Sequence, residues 1–312
     1  MATEAGRRVA SGVLLLTAAS FVAAALILGL VVLIAMTFGR LDSAAVGRAV
    51  FGMGWGLLAL VGAFLLLPWM GRLSRLGDDV RLLELCDPGA PLLRELMDRA
   101  PGTYNHSIMA GALAYAGARA VGANALLARV GAYYHDIGKL VRPQFFVENQ
   151  LGLRNPHDGA PPAQSAFIIT AHVREGVVMA EEARLPRAVV EIIAEHHGTS
   201  LVTYFYRKAT AGDIEVDEAP FRYEGRPPAS KEAALVMIAD VADAAGRALV
   251  DSGPVQIEEA VRKVVAAKVA DGQLAASGLT DAEVEEVVCV YAKMLAGLRH
   301  GRVEYPGEPS EE

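Results

Sequence analysis

Ala132-Tyr133-Tyr134-His135-Asp136-Ile137-Gly138-Lys139 closes an apolar helical run on a histidine and an aspartate side by side. Imidazole and carboxylate both bind divalent cations, and a carboxylate has two oxygens with which to bridge a pair of them. A lone His-Asp pair occurs by chance. Here it shares the chain with His106, His172, the doublet His196-His197 and Asp240, each within or at the end of a predicted helix. Helices hold side chains in fixed geometry, which a metal centre needs.

Each member also has an ordinary reading. His172, in Ile168-Ile169-Thr170-Ala171-His172, has the setting of a satisfied core imidazole. His196-His197, just before Gly198, would sit at the negative end of a helix dipole. Asp240 lies in Met237-Ile238-Ala239-Asp240-Val241, where an unpaired carboxylate is costly and either a metal or an Arg/Lys partner removes the cost. Five imidazoles and two carboxylates together favour a centre of two divalent cations. His157, in a Pro-rich loop, and His300, in a polar terminus, are left out of the set. With no thiolate in it, structural zinc is disfavoured; imidazole and carboxylate suit iron, manganese, zinc or nickel. Such a centre fits phosphodiester hydrolysis, in which a hydroxide activated between two metals attacks while the cations offset charge on the phosphoryl group.

The surrounding sequence reads as helix after helix. Apolar residues at three- and four-residue spacing predict helices over 104–121, 124–137, 163–184, 186–197, 229–250, 256–271 and 280–299, the last with Thr280 as N-cap. No sustained apolar–polar alternation occurs, so no sheet is expected. Residues 141–162 and 210–228, rich in Pro and Gly, read as loops between ligand-bearing helices and as the rim of a pocket, or as plain surface loops. Residues 72–100 form a connector of two short amphipathic segments, broken at Pro88-Gly89 and stopped near Pro101-Gly102.

Hydropathy separates the N-terminal part. The 312 residues are 53% hydrophobic, and residues 9–39 and 49–71 carry no charge. About 20 apolar residues cross a bilayer, so both runs are expected to be transmembrane helices; a cleaved signal peptide after Arg7-Arg8 is the competing reading. Arg7, Arg8, Arg72, Arg75 and Arg81 outweigh Arg40 and Arg48 of the intervening hairpin, which places both ends and the catalytic portion in the cytoplasm. The expected organisation is a two-span anchor over 1–71, a linker over 72–100, a catalytic domain over 101–306 and a tail over 307–312. A net charge of −7 argues against a nucleic-acid polymer as partner. Cys86 and Cys289 fit no metal or redox spacing and are expected to be reduced thiols.

These residues, in this order, resemble the HD-domain metal-dependent phosphohydrolases. Pro101-Gly102-Thr103-Tyr104-Asn105-His106-Ser107, Arg142-Pro143-Gln144-Phe145-Phe146, Asn155-Pro156-His157-Asp158 and Glu195-His196-His197-Gly198-Thr199 extend the likeness into the loops. The nearer resemblance is to the HDIG branch attached to seven-transmembrane receptors, which comprises membrane-bound cyclic di-AMP phosphodiesterases. It covers roughly 90–306 and implies an all-α bundle preceded here by two transmembrane helices. It implies that His106, His135, Asp136 and Asp240 hold one metal, and that Asp136 bridges to a second held by His172, His196 and His197. Iron or manganese would be the resident ions, and Lys139 would stand beside the site to steady a phosphate or the attacking hydroxide. The implied reaction is hydrolysis of cyclic di-AMP to pApA. Arg142, Arg207 and Lys208 are further candidate phosphate contacts, with solvated surface charge as the alternative for each. Three features depart from the branch. The chain has room for two spans and no ectodomain, position 105 is Asn where another His is frequent, and the Gly-Tyr-Pro signature of cyclic di-GMP enzymes is absent after His197. The competing readings are an HD enzyme for another nucleotide, such as cyclic di-GMP or a nucleoside phosphate, and a membrane receptor that binds nucleotide without turnover.

Overall fold

The computed structural model describes residues 79–297 except 151, 153, 212–214 and 250–252, together with scattered residues between 29 and 62. The chain divides into two units, 1–78 and 79–312. In the first, nearly all described residues are helical. Among the described residues no helix is long and apolar enough to cross a membrane. Most of the two uncharged runs lies outside those residues, as do His300 and the tail over 307–312.

The second unit is helical, and among the described residues its β-structure is a single antiparallel bridge between Leu201 and Arg222. After a helical stretch at 79–85 come α1 (Pro91–Arg99), α2 (Pro101–Ala120), α3 (Ala125–Tyr134), α4 (Pro162–Glu182), α5 (Arg187–Glu195), α6 (Thr203–Ala209), α7 (Lys231–Arg247), α8 (Pro254–Ala270) and α9 (Asp281–Gly297). The starts follow from local chemistry. Pro101, Pro162 and Pro254 stand at the first helical position, where the missing N–H has no partner to lose. Asn124 and Ser230 cap α3 and α7 by accepting from Leu127 N–H (3.0 Å) and Ala233 N–H (3.2 Å). Thr280 and Glu283 form a reciprocal capping box on α9, with Thr280 N–H donating to Glu283 Oε2 at 2.8 Å and Glu283 N–H to Thr280 Oγ1 at 3.3 Å.

Helix α7 runs through the middle of the unit. Ala233 through Ala239 are each 0% exposed, so the helix is covered on every face by α2, α3, α8 and α9. Asp240 and Asp243 follow on that buried helix, which explains how carboxylates reach the interior. A second apolar cluster, including Leu93, Val130, Tyr134, Ile137, Val189 and Ile193, ties α3 to α1, α4 and α5.

The helix expected over 124–137 ends early. His135 keeps helical angles, but Asp136 (φ −107°, ψ 14°) leaves the α-helix, and Ile137–Val141 continues as a 3-10 turn. The reason is a close crossing with α4. A Cβ on Gly138 would lie 1.9 Å from the carbonyl oxygen of His172 and 2.5 Å from Gly176 N. Only glycine lets the His-Asp turn press onto the helix that carries His172. The doublet helix likewise stops at Glu195, and His196-His197 form the turn after it, closed by Gly198 at φ +55°. The short helix α6 was not expected from the sequence.

Candidate metal centre

Four segments converge: α2 supplies His106, the α3 exit turn His135 and Asp136, α4 His172, and the α5 exit turn His196 and His197. Two groups of donor atoms result, one of Asp136, His172, His196 and His197 and one of His106, His135 and Asp136, each spread over no more than 4.8 Å. Asp136 belongs to both. Its Oδ1 lies 3.2 Å from His172 Nε2 and 3.8 Å from His196 Nε2; its Oδ2 lies 3.2 Å from His135 Nε2 and 3.9 Å from His106 Nε2. Asp240 is outside both groups but joins them, 3.0 Å from His106 Nε2 and 3.6 Å from His197 Nδ1.

The ring orientations are set from behind. His135, His172 and His196 each donate Nδ1–H to the carbonyl three residues earlier, Ala132 (2.7 Å), Ile169 (2.6 Å) and Ile193 (2.8 Å). A carbonyl can only accept, so each neutral ring turns a bare Nε2 lone pair inward. His106 follows the same plan with a carboxylate, its Nδ1 donating to Asp243 Oδ2 at 2.6 Å, and Arg247 Nε stands 3.3 Å from that carboxylate. Such partners fix the tautomer and raise the basicity of a metal-binding imidazole.

The inward atoms fit cations and little else. His172 Nε2 and His196 Nε2 face each other at 3.3 Å, two lone pairs with no proton to share between neutral rings. His135 Nε2 and both Asp136 oxygens are buried without an aligned hydrogen bond. Burial costs a polar atom heavily unless something compensates it, and a cation between these donors would do so. Without one the charges redistribute: burial opposes protonation of His106, yet its hydrogen bonds to Asp240 and Asp243 push it up to about 9. His196, buried and beside His135 and His172, is pushed down to about 3. Asp136 and Asp240 are held well below the usual carboxylate range, because neighbouring imidazoles (and, for Asp136, Lys139) outweigh their burial.

Lys139 sits beside this centre, its Nζ 2.6 Å from Asp136 Oδ2 and 2.8 Å from Glu148 Oε1. Burial disfavours its charge, but the two carboxylates keep it protonated far above the usual lysine range. The other candidate cations are elsewhere. Arg142 pairs with Glu175. Arg207 and Lys208, in the last turn of α6, are exposed and are not among the hydrogen-bond or ion-pair partners of the cluster.

Sequence reasoning missed several contributors. Asp243 had a signal, lying three residues after Asp240 and four before Arg247 on one helix face. Glu148 and Tyr223 had none, because both lie in irregular segments. Tyr223 stacks on His197 with centroids 4.2 Å apart and meets His172 edge-on at 6.0 Å. His157, left out of the ligand set, is outside both groups but is only 4% exposed, its Nε2 donating to Phe145 O at 3.0 Å.

The HD domain family model matches residues 103–245, which begins just before His106 and ends just past Asp243. The crystal structure of the Listeria monocytogenes phosphodiesterase PgpH HD domain superposes with a TM-score of 0.65 at 40% identity, covering 68% of this chain and all of that one. This chain belongs to the HD-domain family. Its HD domain superposes equally on the same Listeria domain in complex with cyclic-di-AMP, with a TM-score of 0.66 at 40% identity over the same shares of both chains. Among full-length relatives, the cyclic-di-AMP phosphodiesterase PgpH of Bacillus subtilis is 45% identical over 227 residues, 73% of this chain and 32% of that protein. PgpH of L. monocytogenes is 39% identical over 260 residues, 82% of this chain and 36% of that protein. The chain thus spans about a third of the length of the curated relatives it matches.

Proposed function

We propose that this chain is a membrane-anchored, metal-dependent phosphodiesterase that hydrolyses cyclic di-AMP to the linear dinucleotide pApA. The observation that carries the reading is the pair of donor groups sharing Asp136, set in an HD domain similar to one solved with cyclic-di-AMP. His106, His135, Asp136 and Asp240 would hold one divalent ion and Asp136, His172, His196 and His197 the other, with iron or manganese suited to that set. Bound there, the ions supply Lewis acidity and an activated water at neutral pH.

The protein's own groups account for the rest. Backbone carbonyls hold His135, His172 and His196 with Nε2 turned inward, and Asp243 orients His106 in the same way while raising its basicity. Lys139 places a permanent positive charge at the edge of the cluster, where a phosphoryl oxygen would otherwise meet Asp136 and Glu148. Its ammonium holds the phosphate near the reacting position and offsets charge gained as the P–O bond breaks.

The anchor is assigned to residues 1–71, the linker to 72–100 and the catalytic domain to 101–306 on the cytoplasmic face of the cell membrane, from the uncharged runs and flanking arginines. The deciding experiment is incubation of the purified, manganese- or iron-loaded chain with cyclic di-AMP, followed by chromatography. Appearance of pApA is expected; unchanged cyclic di-AMP with full metal loading would rule the reading out.

A further inference from the structure

The segment 222–229 is bound along the turn that carries His196 and His197. Val202 N–H donates to Phe221 O at 2.8 Å and Tyr223 N–H to Ser200 O at 3.1 Å, on either side of the Leu201–Arg222 bridge. Arg222 Nη1 donates to Thr199 O at 3.0 Å. Further along, the buried carboxylate of Glu195 accepts from Arg226 Nε at 2.7 Å and from Ala229 N–H at 2.9 Å. A Cβ on Gly225 would lie 2.6 Å from Gly198 O, so glycine lets the segment follow the turn this closely. The backbone on both sides of Tyr223 is thereby tied to the residues next to the histidine doublet.

The ring of Tyr223 stacks on His197, with centroids 4.2 Å apart and planes 28° apart, and meets His172 edge-on at 6.0 Å. These contacts account for the ring and leave the hydroxyl without a task. Tyr134, Tyr206 and Tyr291 donate theirs to carbonyls of the fold, Leu85 O at 3.1 Å, Val216 O at 3.5 Å and Leu235 O at 3.2 Å. The hydroxyl of Tyr223 has no hydrogen-bond partner among the described residues, and the residue is half-buried. Burial pushes its phenol up, and the charges acting on it are, strongest first, those of Lys139, Asp240, Asp136 and Glu148. These are groups of the metal centre together with its lysine and that lysine's partner.

We propose that Tyr223 is a further catalytic residue, its hydroxyl donating a hydrogen bond to a non-bridging oxygen of a phosphoryl group at the metal centre. A phenol has one O–H to give, and a donor facing an anionic oxygen makes a shorter and stronger bond than one between neutral groups. The role complements Lys139, whose ammonium is a point charge on a flexible stem. Tyr223 adds a directional donor on a ring already held against His197, so little ordering is left for the moment of reaction. A merely structural role, covering His197, needs the ring alone. The catalytic role deepens the phosphodiesterase reading and rests on it for the presence of a phosphoryl group.

The test compares the full manganese-loaded chain in detergent with Tyr223→Phe, which keeps the stacked ring and removes the hydroxyl. Inorganic phosphate, titrated by calorimetry, should bind about tenfold more weakly to the variant. With cyclic di-AMP as substrate, kcat should fall on the order of 100-fold. Metal content and melting temperature should stay at parental values, because the hydroxyl holds nothing in the fold. Unchanged phosphate affinity or an unchanged kcat in the variant overturns the assignment, as does loss of metal, which would make the hydroxyl a support of the centre. Tyrosine-dependent phosphate binding by a chain that leaves cyclic di-AMP intact would sink the phosphodiesterase reading and keep the role of Tyr223. Turnover at the parental rate by Tyr223→Phe would do the reverse.

Discussion

Gly138 and His172 touch backbone to backbone: a Cβ on Gly138 would lie 1.9 Å from the His172 carbonyl oxygen. This contact holds the turn bearing Asp136 against the helix bearing His172. Gly138→Ala must separate them, and overpacking of this kind costs about 1–3 kcal/mol or more. We expect a lowered melting temperature together with loss of bound metal. A variant that melts like the parent and keeps its metal would disprove the role given to this crossing.

Among the described residues, Asp243 reaches the centre through His106, at 2.6 Å. Partners of this type typically contribute about 10–100-fold in metal affinity. Asp243→Asn should weaken binding to that extent in a chelator competition, with the melting temperature of the metal-free protein less affected. Unchanged affinity would show that Asp243 serves Arg247 alone.

Asp136 belongs to both donor groups and Asp240 to neither. Asp136→Asn should therefore lower the metal-to-protein ratio further than Asp240→Asn, measured by elemental analysis after gel filtration. Turnover should vanish in the first variant. An equal effect of the two on metal content would contradict the shared-carboxylate geometry.

Acid should destabilise the metal-free domain. His196 is buried and pushed down to about 3 from an ordinary 6.5, so between those values the unfolded chain binds a proton that the folded chain refuses. Stability then falls as pH drops, by up to about 1.4 kcal/mol per pH unit for one group. His106 works oppositely: pushed up to about 9, it contributes stability that is complete below 6.5 and lost as pH rises through 9. From these two groups a stability maximum near pH 6.5 is expected in urea titrations of the chelated protein. A flat profile from pH 6.5 to 4 would refute the burial of a neutral His196.

Arg184 ends α4 in the left-handed region, at φ 55°, with Leu185 N–H donating to Ala180 O at 2.9 Å. Glycine is the residue suited to that position. Arg184→Gly should raise stability by about 1 kcal/mol, or roughly 2–4 °C in melting temperature. A lower melting temperature would mean that the Arg184 side chain contributes more than its backbone strain costs.

Much of the architecture was legible because burial imposes a period. Apolar residues at three- and four-residue spacing over 229–250 predicted α7 to within three residues at either end. What escaped detection was set by tertiary contact or by shortness. Helix α6, from Thr203 to Ala209, is too brief for a periodic signal. The early end of α3 depends on α4 lying against Gly138, which no local pattern encodes. At the centre, the histidines and aspartates were identifiable by type, and the structure draws all seven together. Their supporting atoms were not identifiable, since Ala132 O, Ile169 O and Ile193 O are anonymous in any sequence. Arg142, selected for its charge, is paired with Glu175, which the sequence could not indicate.

Three of the inward-facing rings are anchored to carbonyls only one turn behind them, in the same stretch of chain. Each such unit carries its aim with it, independent of distant loops. Surface segments can therefore be lengthened, exchanged or recruited for new ligands while the reactive core keeps its alignment, a form of modularity suited to diversification.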